Sequence, residues 1–290
     1  MKIENTLGFI IILLFSSNIY SYNMENPCEK LIQKGNNLDA IKAAEKINDQ
    51  YDKNFCLGKA YYRSNMHKLA VKAFNDSEEH AKLPVNQMFS MLYKGISQRD
   101  LGEFDSSTKT FTRGLETAKL GNSKYLQMER RFLYQLAQNY LVKEQYSDAI
   151  DFFAKSTVVS ANDNERAEGY DGLSKAYYGN KKIVKAIEYG LKASNMHLKT
   201  GAYNEYADGQ VRIASYHLAD NNLDRSLKVL KKLEKFAKDN GSQYYEAKAL
   251  LEQSLVFKKK GDTKQSVAKF NSGTSIAKEI GAKDLLTSAN

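Results

Sequence analysis

The side chains best suited to chemistry are few and scattered. His67, His80, His197 and His217 are the only histidines. None has a second ligand one helical turn away, and none lies in a zinc-protease helix. His217 reads as a hydrogen-bonded histidine facing core or groove. Glu78-Glu79-His80 is the densest donor cluster, but it abuts Lys82-Leu83-Pro84 and reads as solvated charge. Gly169, Gly172 and Gly179 are too widely placed to cradle a dinucleotide, and the chain has neither a phosphate loop nor a nucleophile elbow. The reading is therefore a non-enzyme with no catalytic residue, no metal and no cofactor.

Cys28 and Cys56 are the only cysteines, and their chemistry depends on compartment. Lys2 precedes an uninterrupted apolar run, Leu7 to Phe15, that ends at Ser16-Ser17-Asn18. This run is too short to span a bilayer and matches the apolar region of a secretory signal peptide, with cleavage expected after Ser21. The expected location is periplasmic or secreted; the alternative is an uncleaved N-terminal membrane anchor. In an oxidising compartment Cys28 and Cys56 are expected to form a disulfide, closing a loop worth roughly 3.5 kcal/mol on chain-entropy grounds. The alternative is a pair of buried free thiols.

The elements behind these residues are helices. Of 290 residues 42% are hydrophobic, enough for a packed core, and only 2 are proline, so little interrupts a helix. An all-β or doubly wound fold is excluded. The segments Pro27–Ala44, Leu57–Phe74, Lys94–Phe111, Leu136–Phe153, Leu173–Gly190, Ile213–Leu230 and Gln253–Phe270 align without gaps. Each reads as the end of one helix, a tight turn and the start of a second. A small residue recurs in the second helix at Ala40, Ala70, Ser107, Ala149, Ala186, Ser226 and Ser266, at steps of 30, 37, 42, 37, 40 and 40 residues. Four residues on comes Ala44, Phe74, Phe111, Phe153, Gly190, Leu230 or Phe270, usually large enough to fill the space between neighbours. Tyr61, Tyr140 and Tyr177 are expected on the facing wall. Gly121, Gly201, Gly241 and Gly281, with Asn162 in the missing place, predict left-handed caps at the ends of second helices about a turn longer than in a compact repeat.

These residues resemble the tetratricopeptide repeat family, through Leu57-Gly58 with Tyr61 and Ala70, Leu101-Gly102-Glu103-Phe104 with Phe111, Leu136-Ala137 with Tyr140, Tyr146, Ala149 and Phe153, and Leu173 with Tyr177 and Ala186. The resemblance runs from about Pro27 to Gly281 and implies an all-α fold, a right-handed α-solenoid of about seven helical hairpins. The implied organisation is a signal peptide over 1–21, the solenoid over 22–281 and a C-terminal tail over 282–290. The family's Lys/Asn clamp for a terminal carboxylate has no counterpart, because the corresponding places hold Phe55 and Lys59, Leu92 and Ile96, then Tyr134 and Gln138.

The resemblance also implies a concave face, lined by the first helices, that binds peptides or partner proteins. On it the reading places Lys59, Tyr62, Arg63, Arg99, Arg131, Gln135, Gln138, Lys175, Tyr178 and Arg212. That stripe is basic and aromatic, so the expected ligand is a protein or peptide segment rich in Asp and Glu with apolar anchors. The alternative for these side chains is packing between helices, with the cationic heads in solvent. The whole chain carries a net charge of +9, and 14 Lys+Arg against 7 Asp+Glu fall between Arg225 and Asn290. Export argues against nucleic acid as the partner. The leading function is an exported protein–protein interaction scaffold; the alternative is a structural protein that assembles on an anionic envelope surface through its basic C-terminal face.

Overall fold

The computed structural model describes residues 26–288; the expected signal peptide, Met1 to Ser21, lies outside them. Fifteen α-helices follow one another in this span: α1 (Pro27–Gln33), α2 (Asn37–Ala44), α3 (Gln50–Arg63), α4 (His67–His80), α5 (Pro84–Asp100), α6 (Phe104–Leu120), α7 (Leu126–Val142), α8 (Tyr146–Val158), α9 (Asp163–Gly179), α10 (Ile183–Lys199), α11 (Tyr203–Ala219), α12 (Leu223–Asp239), α13 (Gln243–Lys259), α14 (Thr263–Glu279) and α15 (Lys283–Ser288). Consecutive helices pack against each other all along the chain. Odd-numbered helices also touch the odd helix of the neighbouring repeat, as α3 does α5 and α5 does α7, whereas no even pair approaches as closely. The stack therefore curves with the odd helices on its inner side. Among the described residues no helix is long and apolar enough to cross a membrane.

Close approach within each hairpin rests on two small residues twelve apart. Gly58 faces Ala70, Gly95 faces Ser107, Ala137 faces Ala149, Ser174 faces Ala186, Ala214 faces Ser226 and Ser254 faces Ser266. Where one of the two is serine it is satisfied across the crossing: Ser107 donates to the Gly95 carbonyl at 2.7 Å, Ser174 to Ala186 at 2.7 Å, Ser226 to Ala214 at 2.8 Å and Ser266 to Ser254 at 3.0 Å. A serine at this position thus costs no unpaired polar group. The large residue one turn later fills the space opened by a glycine, since a methyl group on Gly58 or Gly95 would run into the ring of Phe74 or Phe111. Tyr140 stacks on Phe152 at 5.3 Å and Tyr177 on Tyr189 at 5.2 Å, closing the opposite wall.

Each hairpin turns on one residue with positive φ: Gly35, Asn65, Gly102, Glu144, Lys181, Asn221 and Gly261. The residue after it returns an N–H to the carbonyl five back, as Met66 does to Tyr61 and Asn222 to His217. This bond closes the helix end. From α9 onward the links between repeats use the same device at Gly201, Gly241 and Gly281, so 17-residue helices alternate with identical short links. Two of the expected caps differ. Gly121 has φ −83°, and Asn122, at φ 51°, makes the turn into a short 3-10 helix, Asn122–Tyr125. Asn162 is extended (φ −144°, ψ 171°) and instead caps the start of α9, its side chain accepting from Glu165 N at 2.9 Å. Both follow from connections longer than the tight link, which leave the chain time to extend before the next helix. The second helices α6, α10, α12 and α14 have 17 residues, whereas α2, α4 and α8 have 8, 14 and 13.

Cys28 on α1 and Cys56 on α3 are joined in a disulfide, with Cα atoms 6.4 Å apart. Both are buried among Ile32, Ala40, Ala44, Leu57 and Ala60. At the other end, the segment set apart as a tail carries α15, whose Leu285 packs with Ala282 against Ala247 and Ala277. It covers the apolar end of the last full hairpin.

Candidate concave interaction face

All ten residues placed on the concave face lie on odd-numbered helices. Most of them do not project freely. A polar rung ties each inner helix to the next: Lys59 to Glu29 (α3 to α1), Tyr62 Oη to Asp100 Oδ2 at 2.9 Å (α3 to α5), and Arg99 Nη1 to Gln135 Oε1 at 2.6 Å (α5 to α7). Arg130 then reaches Glu168 and Glu165, each at 3.3 Å (α7 to α9), and Arg212 pairs with Asp171 (α11 to α9). Lys248 holds Asp208 at 2.9 Å (α13 to α11), and Tyr244 Oη donates to Asp284 at 2.6 Å (α13 to α15). Partners lie 30 to 41 residues apart, about one repeat.

The other predicted residues differ in how they join this ladder. Lys175 sits 3.5 Å from Asp171 and shares it with Arg212. Tyr178 lies flat on Tyr216, centroids 4.2 Å apart, yet remains 40% exposed. Gln138 is hydrogen-bonded to Tyr134, whose phenol burial pushes up to about 12. Arg131 is half-buried on α7, and Arg63 is exposed at the end of α3. The Arg99 guanidinium is lowered from its ordinary value by burial. Burial, with Asp100 adding to it, pushes the Tyr62 phenol up to about 12, so it stays a neutral donor.

The stripe is consequently mixed in charge. Glu168 pairs with Arg130, Asp171 with Lys175 and Arg212, and Asp208 with Lys248, while Asp100 accepts from the Tyr62 hydroxyl; sequence reasoning did not single out these four acids. Their signal in the sequence is an offset of about one repeat from a basic or tyrosyl partner, visible only once the repeat is aligned. Burial raises the Glu168 carboxyl even with Arg130 beside it, and raises that of Glu252 against the opposing Lys248.

The remaining candidates are structural. His197 and His217 are buried, and burial lowers both imidazoles. Glu78 is not the solvated charge its neighbours suggested: it is buried on α4, 3.2 Å from Lys94 and paired with Arg113, because it faces α5 and α6 rather than water. Among the described residues no three His, Cys, Asp or Glu side chains converge as a metal site would require.

No protein-family model matches the chain, and no curated protein matches its sequence. Solved structures do match. A signal transduction ATPase with numerous domains (STAND) protein with a tetratricopeptide repeat sensor, from Pyrococcus horikoshii, aligns over 91% of this chain at a TM-score of 0.68 and 17% identity. The chain spans 43% of that protein's length. The apo form of RapI aligns over 89% of this chain and 84% of its own, at 0.64 and 14% identity. A Rap protein complexed with competence and sporulation factor aligns over 91% and 78%, at 0.58 and 11% identity. The fold is thus the α-solenoid of tetratricopeptide-like repeat proteins.

Proposed function

We propose that this chain is an exported, non-enzymatic scaffold that holds a peptide or partner protein along the concave face of its odd-numbered helices. The observation that carries the reading is the rung ladder: it fixes tyrosine, arginine and lysine side chains in place before any partner arrives, which lowers the entropy cost of binding. A neighbour in fold, the Rap protein, is complexed with competence and sporulation factor, which supports a solenoid of this kind as a holder of partners. The partner segment carries carboxylates for Arg63 and Lys175 and an apolar or aromatic group for the exposed face of Tyr178. Export rests on the apolar run Leu7 to Phe15 and on the disulfide, a bond that persists in oxidising compartments.

The test is capture from the envelope fraction with the purified chain, followed by affinity measurement. Arg63→Ala with Tyr178→Ala is expected to leave helical circular dichroism unchanged, since both side chains reach solvent, and to weaken the captured partner at least ~10-fold. Unchanged affinity would remove the concave face as the binding surface. Arg99 is unsuitable for such a test because it holds Gln135.

A further inference from the structure

The outer face of α12 presents a row of cations that the fold does not use. Arg225, Lys228, Lys231, Lys232 and Lys235 are all exposed, and none has an ion pair or hydrogen-bond partner among the described residues. At ~100° per residue they fall on the side opposite Ser226, Leu230, Leu233 and Ala237, which are buried. The row is ~15 Å long. The acids of the same helix do not relieve it. Asp224 is held by Lys260 at 2.6 Å, and Glu234 points elsewhere, to Lys238 at 2.8 Å, Gln253 at 2.8 Å and Lys269 at 3.3 Å. Asp239 stands a turn beyond Lys235, at the helix end.

A face that serves solubility alone interleaves its charges. The outer faces of α8 and α10 do so, with Lys155 on Asp151 at 2.5 Å and Lys192 on Glu188 at 2.7 Å. On α12 like charges instead meet at the i, i+3 and i, i+4 spacings, where they repel. That cost is offset only when an anion covers the row. A second feature indicates which anion. On α10, the preceding outer helix, Val184, Leu191 and Leu198 recur every seven residues and are 79%, 42% and 37% exposed.

We infer that the convex face formed by α10 and α12 docks on an anionic lipid surface, the lysine row of α12 lying among acidic headgroups and the aliphatic row of α10 against the acyl boundary. Cations beside exposed aliphatic side chains are the composition of an interfacial membrane contact. A nucleic-acid strand suits this face less well: Phe236, the aromatic that borders the cations, is half-buried and packed edge-on against Tyr203 and Tyr206, and a convex ridge offers no channel for a backbone. An acidic protein would want an aromatic anchor, which the row lacks. Docked in this way, the concave face on the opposite side stays open.

The experiment is flotation of the full chain with vesicles of phosphatidylcholine alone, or of two parts phosphatidylcholine to one part phosphatidylglycerol. The apolar run near the N-terminus contributes to both, so the readout is the ratio between them. The parent is expected to prefer the anionic vesicles at least ~10-fold at low salt, the preference falling as salt rises. Replacing Lys228, Lys231, Lys232 and Lys235 together by Gln removes that preference while circular dichroism stays unchanged, and replacing the same four by Arg keeps it. Val184→Ser with Leu191→Ser lowers the fraction bound at physiological salt. Three results would overturn the inference: no preference in the parent, a preference retained by the Gln variant, or displacement from the vesicles by equimolar duplex DNA or polyglutamate.

Discussion

The stretch from α1 to α8 and the stretch from α9 to α15 build the same solenoid by different means. In the second, six 17-residue helices are joined by links that each place one left-handed residue at the same point, and the core is largely leucine and alanine: Leu227, Leu230, Leu233, Ala237, Ala247 and Ala249. In the first, helix length runs from 7 to 17 residues, the links between repeats are extended or 3-10, and large side chains fill the core: Phe74, Met88, Phe111, Met128, Phe132 and Phe153. A covalent bond holds its shortest hairpin. Regular repeats draw their stability from local rules applied many times. Irregular ones depend on particular large residues, and on the disulfide where too little surface is buried.

Breaking that contrast begins with the largest side chains. Phe111→Ala removes a ring buried against Gly95 and Phe132, and is expected to cost about 3–5 kcal/mol. Ala237→Gly in the periodic half costs only about 1 kcal/mol. Chemical denaturation followed by hydrogen exchange separates the two, with the Phe111 loss confined to α5, α6 and α7. Comparable losses at both positions would erase the distinction.

Reducing the disulfide, or replacing both cysteines by serine, comes next. The entropic contribution of roughly 3.5 kcal/mol disappears, and exchange of α1 and α2 amides accelerates while α9 to α14 stay protected. Acceleration throughout would mean that the two halves unfold as one unit.

Turn residues give a smaller effect that should be alike in both halves. Glu144 and Lys181 hold positive φ without being glycine. Either one changed to Gly should gain up to about 1 kcal/mol, because glycine reaches this conformation without the Cβ clash. A loss at either position would show that the side chain contributes a contact worth more than the strain.

The smallest effect is a matter of pH. Burial raises the Glu252 carboxyl, so its neutral form is favoured in the fold, and its contribution, present below the ordinary carboxyl range, is lost as pH rises through the raised value. Glu252→Gln should therefore stabilise α13 and α14 at neutral pH and match the parent in acid. A gain that persists unchanged in acid would assign it to packing.

Much of this was legible in the sequence because it is carried by periodic residue types. Ala70, Ser107 and Ala186 mark the crossings, and Phe74, Phe111 and Phe153 the fillers. The facing residue of each crossing was harder to see, since Gly58, Ala137, Ser174 and Ser254 share size rather than chemistry. Asn162 caps the start of α9 rather than the end of α8, because a left-handed C-terminal cap requires a short link, and link length is fixed by packing rather than by the residue itself. The rungs escaped for a related reason. Asp100, Asp171 and Asp208 bond to partners 38, 41 and 40 residues away, an offset that stands out only once the repeats are aligned.

Partners are proposed to bind on the inner side of the curve. Photo-crosslinking tests it most directly: benzoylphenylalanine placed at Tyr178 on the inner face, or at Asn195 on the outer side of α10, with irradiation in the native host and mass spectrometry of the adducts. Binding on the inner face gives a defined protein adduct from position 178 and none from 195. Adducts from 195 alone, or the same adducts from both, would contradict it.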